Sequence, residues 1–495
     1  MGFIIVIRSN FKVNKMRSVR VFLFGIVINS LLLFSLIASD AVILVTSDIH
    51  GNVSSGKGGF LQLSSAIKSE EGTEGRENVI LIDCGDTLQG SFEASVTKGA
   101  MAINLLNELG YDFWIPGNHD FDYGFDVFLD RAKDFRGRTL CSNIALASGS
   151  KIILPYAKWS MVKKNNIKIA IIGATFPDIN SSWVISPDAP FRTIALSAAL
   201  QTIMPKVLKD NPDVIVLALH GGLFNKNWSL GKEIQKYPQI DLVLGAHTHE
   251  AIAGKALYNG AYYFQSGHGG EYLGKIEITM NKEKGRPDFV SKLIPVANYP
   301  ADKQVLDKLS KTLDSIRKDG QRQIAFINPD QAQSSGFLIS KAIAFATKAD
   351  VAIFGLSPNN EKLSGTITNA KLHDLIPYED NVALMKVTKD ELKVILQNLN
   401  KHMKSNKKYK KLSSYGFRFS VSKNGKVLNV ILPPALENKN RMLLAISSYY
   451  IDYPTNKFPG IRKIAEETGA EYKNTNQTVR DVLKAYLQIK FPLKN

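Results

Sequence analysis

A chain of 495 residues exceeds the usual size of one domain, so we expect two or three domains. Its 44% hydrophobic and 22% charged residues are typical of globular proteins and exclude a disordered or fibrous chain. The formal net charge of +17 is uneven, because residues 301–495 carry 32 basic and 18 acidic side chains whereas residues 41–300 carry 25 and 26. The difference predicts a domain boundary near residue 300. A basic second half suits an anionic ligand, and a solvated basic face explains it equally well.

The N-terminal segment has the pattern of an export signal. Arg17 and Arg20 precede an apolar run over residues 21–37, and small residues follow at Ala38 and Ser39. We therefore predict a signal peptide over residues 1–41 and a periplasmic or extracellular protein. The alternative is an N-terminal anchor that is not cleaved, because the run is at the lower limit for a membrane span. We expect contact with a membrane only through this segment.

The two cysteines, Cys84 and Cys141, both lie at the ends of apolar runs. Buried free thiols are the simpler interpretation. A disulfide in an oxidising compartment is the alternative, which spacing alone does not decide.

Residues 42–280 alternate between apolar runs, loops and amphipathic segments. Continuous apolar runs are typical of buried strands, and each of five runs closes in a polar cluster. This rhythm predicts an α/β domain with helices outside a sheet sandwich and a ligand site at the C-terminal ends of the strands. The five strands are predicted at 41–46, 79–82, 113–115, 214–219 and 242–244, a short strand at 139–144, and helices at 60–68, 98–109, 126–133 and 191–209.

The second half has a different organisation. A charged helix over 302–318 suits a link between domains, and the very basic run 401–411 interrupts the segment that follows. Asn424-Gly425 is a strong hairpin turn signal. We predict a second α+β domain with helices at 334–348, 390–399 and 478–490, strands at 351–354 and 442–450, and a hairpin of 417–421 with 427–432.

The polar clusters at the strand ends have the composition of a metal centre. Carboxylate, imidazole and amide groups without thiolate suit Mn, Zn, Fe or Mg ions. One His-x-His pair is weak as a signal, but packing does not explain five such clusters. Asp48 and His50 alternate and would project to one side of an extended segment. The number of groups predicts two divalent ions that share one carboxylate, for which Asp86 is the natural bridge; the predicted ligands are Asp48, His50, Asp86, Asn118, His220, His247 and His249.

His119 and Asp122 stand beside this predicted centre. His119 follows the ligand Asn118 directly and is free to act as an acid or base. Asp122, three residues further on, could hold its imidazolium form. Two adjacent cations would lower the pKa of bound water, and a protonated His119 would be able to donate to a leaving group.

These motifs resemble those of the calcineurin-like metallophosphoesterases. They are Asp48-x-His50, Gly85-Asp86, Gly117-Asn118-His119-Asp120, His220-Gly221 and Gly245-x-His247-x-His249. The segments 85–91 and 117–124 are similar to those of the bacterial branch of 5′-nucleotidases and 2′,3′-cyclic-nucleotide phosphodiesterases.

The resemblance implies a fold and a set of roles. It implies a four-layer α/β/β/α sandwich over 42–298, a linker helix over 299–322 and a C-terminal 5′-nucleotidase-like substrate-recognition domain over 323–495. His119 would be the catalytic acid and Asp122 its orienting partner. One ion would be held by Asp48, His50, Asp86 and His249, and the other by Asp86, Asn118, His220 and His247.

The second domain departs from the family pattern at the substrate site. The family's arginine-bearing loop is replaced by residues 355–365, which contain no arginine, and its late glycine-rich segment by residues 447–460. Two aromatic faces could still hold a base, although each aromatic residue also fits a core or strand position. The candidates for substrate contact are Asn359, Asn360, Phe417, Arg418, Phe419, Tyr450 and Tyr453.

Together these features predict an exported dinuclear phosphohydrolase. It would remove phosphate from nucleotides by attack of a metal-bound hydroxide, with His119 as the acid. The branch it resembles also includes enzymes for cyclic phosphodiesters. One alternative is hydrolysis of another anionic ester, such as a sugar phosphate, a UDP-sugar or a sulfur-oxyanion conjugate. Another is a surface protein whose basic half captures an anionic polymer. We expect no stable nucleic-acid partner.

Overall fold

The computed structural model describes residues 39–177, 190–224, 230–257, 259–355, 361–405, 412–452, 458–467 and 473–493. The predicted signal peptide lies almost wholly outside these residues and stays a prediction. Within these ranges, no helix combines the length and the hydrophobicity that a membrane crossing requires. Cys84 and Cys141 are both buried and free, as the simpler interpretation of the sequence predicted.

The first half of the chain forms two six-stranded sheets. The strand order is β14-β13-β1-β2-β3-β4 in the first sheet and β11-β12-β10-β9-β7-β6 in the second. The strands are β1 (Ala41–Thr46), β2 (Val79–Asp83), β3 (Phe113–Trp114), β4 (Arg138–Thr139), β5 (Ile144–Leu146), β6 (Trp159–Lys164), β7 (Ile167–Ala174), β8 (Phe191–Thr193), β9 (Val214–Leu219), β10 (Leu242–Gly245), β11 (Ala251–Ala256), β12 (Tyr262–Ser266), β13 (Tyr272–Asn281) and β14 (Arg286–Pro295).

The two sheets pack face to face because their central strands are apolar on both sides. In β1, Ile43 and Val45 face the second sheet, whereas Val42 and Leu44 face helices on the outside. Successive side chains of a strand point to opposite faces, so a continuous apolar run is buried on both. Residues from both sheets form one core layer between them, and helices form a further core on each outer face. The four-layer α/β/β/α prediction is confirmed.

The helices of this half surround the sandwich. Helix α5 covers the second sheet, and α1, α3 and α4 cover the first. The helices are α1 (Phe60–Glu74), α2 (Phe92–Val96), α3 (Ala100–Glu108), α4 (Phe125–Asp134), α5 (Leu196–Lys209) and α6 (Leu230–Ile234), with short 3-10 turns at Arg76–Asn78, His119–Phe121 and Val296–Asn298.

Two of the predicted elements were wrong in this half. Residues 191–193 are not helical but form β8, which pairs antiparallel with β5, and the helix begins only at Leu196. The predicted strand over 139–144 is instead two pieces, β4 and β5, joined by residues 140–143. Thr175 donates its N–H to the Asn143 carboxamide, which in turn donates to the carbonyl of Thr175, and this side-chain pairing replaces a strand ladder.

A second core holds the C-terminal half. A five-stranded mixed sheet, β21-β17-β24-β20-β25, packs against helices, as predicted for an α+β domain. Its strands are β15 (Gln323–Ile327), β16 (Gln333–Ser334), β17 (Val351–Phe354), β18 (Lys362–Leu363), β19 (Gly365–Thr368), β20 (Asn381–Val387), β21 (Ser413–Tyr415), β22 (Arg418–Val421), β23 (Val427–Ile431), β24 (Met442–Ser447) and β25 (Lys473–Thr478). Its helices, preceded by the linker helix α7 (Lys303–Gly320), are α8 (Ser335–Thr347), α9 (Asn369–Leu375), α10 (Lys389–Ser405), α11 (Pro434–Glu437), α12 (Tyr449–Asp452), α13 (Pro459–Glu467) and α14 (Val479–Lys490), with a 3-10 turn at Pro329–Gln331.

The predicted strand over 442–450 ends early. Strand β24 stops at Ser447, and residues 449–452 turn into α12. The predicted β22–β23 hairpin is present around Asn424-Gly425, with a register shift at Val421.

Helix α7 packs against the first half of the chain along its length. Its buried side chains Val305, Leu309 and Leu313 belong to the same core as the helices that cover the first sheet. The helix begins where Asp302 accepts hydrogen bonds from the N–H groups of Gln304 and Val305. Asp302 also accepts from the Ser64 hydroxyl and the Lys68 ammonium of α1. One carboxylate therefore starts α7 and ties it to α1.

We expect Asp302→Ala to destabilise the protein by about 1–3 kcal/mol. The helix cap is lost, and the buried Ser64 hydroxyl loses its acceptor. The midpoint of urea unfolding, followed by circular dichroism, measures the change. Asp307→Ala is the matched control, because Asp307 is exposed on the same helix. Equal midpoints for the two variants would contradict the role of Asp302.

Candidate metal centre

The predicted ligands converge where five strands end. Strands β1, β2 and β3 are parallel neighbours, so the loops that follow them emerge at one edge of the first sheet. Strands β9 and β10 are parallel neighbours in the second sheet. The two edges meet, and the structure brings together residues from all five loops: Asp48, His50, Asp86, Asn118, His220, His247 and His249.

Asp120 fixes two of these loops against each other. It is 1% exposed, and its carboxylate accepts four main-chain N–H groups. Three come from Asp86, Thr87 and Leu88 in the loop after β2, at 2.8–3.0 Å. The fourth comes from Gly117 in the loop after β3, at 2.7 Å. Asp120 belongs to the motif that identified the site, but the sequence analysis gave it no role.

Gly117 allows this close approach. A Cβ atom there would lie 2.2 Å from the Asp86 carboxylate and 2.7 Å from the His220 ring. Both neighbours are buried and held by other contacts, so they cannot yield. A glycine is therefore required at this position.

The first candidate metal group comprises Asp48, His50 and His249, whose ligand atoms lie within 4.8 Å of one another. The Nε2 atoms of the two histidines are 3.2 Å apart, and His249 Nε2 is 3.5 Å from Asp48 Oδ1. His50 Nδ1 is 3.0 Å from the carbonyl of Gln89. If Nδ1 donates there, Nε2 carries the lone pair that a metal ion requires.

The second candidate group comprises Asp86, His220 and His247, again with ligand atoms within 4.8 Å. His220 Nδ1 contacts the carbonyl of Cys84 at 2.7 Å, and its Nε2 lies 3.3 Å from Asp86 Oδ2. The same Oδ2 atom is 3.9 Å from His50 Nε2 in the first group. Asp86 therefore lies between the two groups, where the sequence analysis placed a bridging carboxylate.

Asn118 completes the set of predicted ligands. Its N-terminal neighbour Gly117 contacts Asp86, and its C-terminal neighbour His119 donates its N–H to Asp86 at 2.8 Å. Its Oδ1 atom is buried and accepts no hydrogen bond from any described residue. A buried amide oxygen of this kind costs free energy unless it is paired, and a cation would pair it.

The backbone at the site is strained. Ten residues other than glycine have a positive φ in the described part of the chain, and five of them are predicted ligands. Each such residue costs about 1–3 kcal/mol, and strain of this kind concentrates at functional sites. The finding also corrects the interpretation of Asp48-x-His50, which is not extended. The five residues, with φ between 52° and 71°, are Asp48, His50, Asp86, His247 and His249.

Burial keeps most of these imidazoles neutral. It lowers the pKa of His50 to about 4 and that of His249 to about 3, and it holds the pKa of His247 well below its usual range. Neutral imidazole is the form that binds metal. Burial raises the pKa of Asp48 to about 8 and outweighs the positive charge of His220. Burial alone would lower the pKa of His220, but the Asp86 carboxylate raises it to about 9. The donor atoms and their surroundings thus fit divalent cations.

His119 lies at the edge of the centre with its ring held by Asp122. His119 Nδ1 is 2.9 Å from Asp122 Oδ2, and the Asp122 side chain is fully buried. Burial alone would lower the pKa of His119, but the carboxylates of Asp122 and Asp86 outweigh it and raise the pKa to about 10. A protonated imidazole, fixed through Nδ1, can donate from Nε2.

Tyr378 of the second domain lies against this histidine, a contact that no sequence motif predicted. The two ring centroids are 6.0 Å apart and the planes are inclined by 28°. Residues 375–381 contain none of the metal-ligand patterns that identified the centre, so no motif pointed to this tyrosine.

The predicted substrate contacts are not gathered at the centre. Tyr450 is 2% exposed and Phe417 7% exposed, and both belong to the core of the second domain, whereas Arg418 is exposed on β22. Phe419 packs against the same core. A core role therefore accounts for the aromatic residues, and their contact with substrate stays a prediction. Asn359, Asn360 and Tyr453 lie outside the described residues.

Two family models match the chain. Residues 41–251 match the calcineurin-like phosphoesterase family, and residues 320–450 match the 5′-nucleotidase C-terminal domain. A 5′-nucleotidase from Vibrio parahaemolyticus is 24% identical over 91% of this chain and 89% of its own length.

Solved structures share the fold over nearly the whole chain. A putative 5′-nucleotidase from Staphylococcus aureus superposes with a TM-score of 0.76 and 17% identity, covering 92% of this chain and 98% of that one. The sulfate thiohydrolase SoxB from Thermus thermophilus superposes with a TM-score of 0.64 and 16% identity, covering 91% and 94%.

We expect Asp120→Asn to weaken the site although Asp120 is not a predicted ligand. The amide group keeps one acceptor and turns an NH₂ group towards two buried N–H donors, which costs about 2–4 kcal/mol. Thermal unfolding of the metal-free protein should show the loss, and Mn²⁺ affinity by titration calorimetry should fall in parallel. The exposed neighbour Asp126→Asn is the control. Unchanged stability and affinity would remove Asp120 from this role.

Proposed function

The chain belongs to the 5′-nucleotidase-like metallophosphoesterases, and on that premise we propose that it is an exported hydrolase that removes phosphate from nucleotides at a dinuclear metal centre. One observation supports this most strongly. Two groups of potential ligands share the carboxylate of Asp86, and the His119–Asp122 pair stands directly beside them. A binding protein has no need of an oriented, protonated histidine at this place.

The ligands fall into two proposed sets. Two divalent ions, bound there, would polarise the phosphoryl oxygens and lower the pKa of water that attacks phosphorus. Carboxylate, imidazole and amide ligands suit Mn, Zn, Fe or Mg ions. Asp48, His50, Asp86 and His249 would hold the first ion, and Asp86, Asn118, His220 and His247 the second.

Residues of the chain itself protonate the leaving group and hold the catalytic groups in place. His119 Nε2 gives its proton to the leaving oxygen of the ester as the bond to phosphorus breaks. Asp122 holds the Nδ1 side of the ring, so the proton leaves from one defined atom. Asp120 keeps Asp86 in place by holding the loop main chain, so it acts on the metal centre without touching an ion.

Nucleotide esters are the substrates that the second domain supports best. The domain carries the excess positive charge of the chain, and it places Tyr378 against His119 at the centre. Remote contacts to a nucleoside would supply orientation as well as affinity. Export rests on the predicted signal peptide at residues 1–41. The predicted domain boundaries at 298 and 322 belong to the same proposal.

Another anionic ester is the second candidate. The stretch 355–365 contains no arginine where the resembled family uses one to meet phosphate. The lack of that arginine leaves a sugar phosphate, a UDP-sugar or a sulfur-oxyanion conjugate as the alternative substrate.

A substrate screen tests the proposal. We expect the Mn²⁺-loaded protein to release phosphate from nucleoside 5′-monophosphates with a higher kcat/KM than from sugar phosphates or UDP-sugars; 2′,3′-cyclic nucleotides complete the panel. Preference for a sugar ester would favour the second candidate.

Asp86→Asn should abolish turnover and reduce the content of both ions, because one carboxylate serves both. Mass spectrometry of the metals measures that content. Full occupancy of two ions in that variant would contradict the bridge.

His119→Ala should separate chemistry from metal binding. We expect an intact metal content and a loss of kcat of about 10²–10⁴ on nucleotide esters, whose alkoxide needs a proton. The loss on p-nitrophenyl phosphate should be much smaller, because nitrophenolate leaves without protonation. Equal losses on both esters would remove His119 from the acid role.

A further inference from the structure

We propose that the segment 376–380 of the second domain positions the catalytic histidine, with Tyr378 as the residue that contacts His119 and Arg480 as the residue that holds the segment in place. The inference rests on the proposed function, because it assigns a part of the second domain to the proton-transfer step. It names two residues that the motifs of the catalytic half do not contain.

Asp122 binds the His119 ring only at its edge, and the rings of His50 and Tyr378 lie beside it, at centroid distances of 5.6 and 6.0 Å. Asp122 binds the ring at its edge, through Nδ1. Rotation about that hydrogen bond would still swing Nε2 away from a leaving oxygen. The Tyr378 ring lies against the imidazole with a centroid distance of 6.0 Å, within the range of aromatic pairs. The Asp122 contact at the ring edge and the Tyr378 ring from the second domain together limit where the Nε2 proton points.

Arg480 holds the segment from the side of the second domain. Its guanidinium donates to the carbonyls of Ile376 at 2.8 Å and Tyr378 at 3.3 Å, and to the Glu379 carboxylate at 2.6 Å. One side chain therefore binds the segment at Tyr378 itself and on both sides of it. The Arg480 and Glu379 side chains are only 14% and 19% exposed, so their ion pair is shielded from water.

The first domain binds the same segment from the other side. Ser95 Oγ is 3.2 Å from the Glu379 carboxylate, to which it donates, and accepts from Arg480 at 3.2 Å. Gln89 Nε2 donates to the carbonyl of Pro377 at 2.7 Å. Gln89 lies three residues after Asp86 in the loop after β2. The segment is thus fixed to the loop that carries the proposed bridging ligand.

Loss of this segment should affect substrates differently from loss of an ordinary contact between the domains. If segment 376–380 only joins the domains, its loss should affect all substrates alike. If it aims the His119 proton, its loss should affect only esters whose leaving group needs that proton. A misplacement of about 1 Å in a catalytic group costs about 10²-fold in rate.

The kinetic test compares two substrates in each variant. We expect Tyr378→Ala to lower kcat on a nucleoside 5′-monophosphate by about 10–100-fold, and on p-nitrophenyl phosphate by less than about threefold. Tyr378→Phe keeps the ring and should retain near wild-type kcat on both esters. Arg480→Gln should reproduce the selective loss at about tenfold, because it releases the segment.

Arg441→Gln is the matched control. Arg441 also pairs with a glutamate of the second domain, Glu391 at 3.0 Å, and donates to the carbonyl of Lys386. Both of these contacts lie outside segment 376–380. Its removal costs a comparable ion pair and should leave the ratio of the two kcat values unchanged.

Hydrogen–deuterium exchange gives a readout that is independent of activity. Tyr378→Ala should speed exchange in the peptide that covers 117–124, and Arg480→Gln should speed it in the peptide that covers 376–380, with Arg441→Gln as the control. Unchanged exchange in these peptides would overturn the contact itself.

The outcomes separate the two proposals. If wild-type protein hydrolyses neither ester in Mn²⁺, the proposed function fails, and the positioning role fails with it even where the exchange data show the contact. If wild-type protein hydrolyses both and Tyr378→Ala loses equally on both, the proposed function stands and the positioning role is overturned. A loss confined to the nucleotide supports both.

Discussion

The carboxylate of Asp120 is the constraint on which the rest of the site depends. It collects four main-chain N–H groups from two loops that follow neighbouring strands. Without such an acceptor, each of these buried donors would cost about 1–3 kcal/mol. The fully bonded carboxylate lets the chain turn sharply at Asp86 and bring Gly117 against it. Main-chain hydrogen bonds therefore set the positions of the two loops, and the loops set the positions of the ligands.

The hydrogen-bond partner of Nδ1 likewise sets the role of each histidine. His50 and His220 each direct Nδ1 to a main-chain carbonyl, at Gln89 and Cys84. This leaves Nε2 of both rings to face the Asp86 carboxylate. His119 instead directs Nδ1 to the Asp122 carboxylate. A main-chain carbonyl at Nδ1 fixes the tautomer that leaves the lone pair on Nε2, whereas a carboxylate at Nδ1 favours the imidazolium. The partner of Nδ1 therefore distinguishes the proposed metal ligands from the proposed acid.

The sequence predicted what depends on periodicity and on the order of motifs. Continuous apolar runs predicted the central strands, and polar clusters at their ends predicted which loops would meet.

Prediction from the sequence failed where a contact between distant segments decides the outcome. Residues 191–193 scan as part of a helix, but they pair with β5, about 45 residues earlier in the chain. Asp48-x-His50 appeared extended because a period of two says nothing about positive φ. Tyr378 was missed because the contact depends on how the second domain sits on the first, and no local pattern records that. Tyr450 was selected for its aromatic ring, and only the core packing shows that the ring is buried.

The left-handed backbone at five of the proposed ligands limits how such a centre can change during evolution. Asp, Asn and His adopt positive φ more readily than most other residues, whereas β-branched side chains do so at high cost. Exchanges among these three residues preserve the loops, so the hardness and charge of the ligand field can drift through them one position at a time. A change to a β-branched ligand such as threonine would require the loops themselves to be rebuilt. The backbone thus favours carboxylate, amide and imidazole ligands at these five positions, while the second domain is free to diverge in what it recognises.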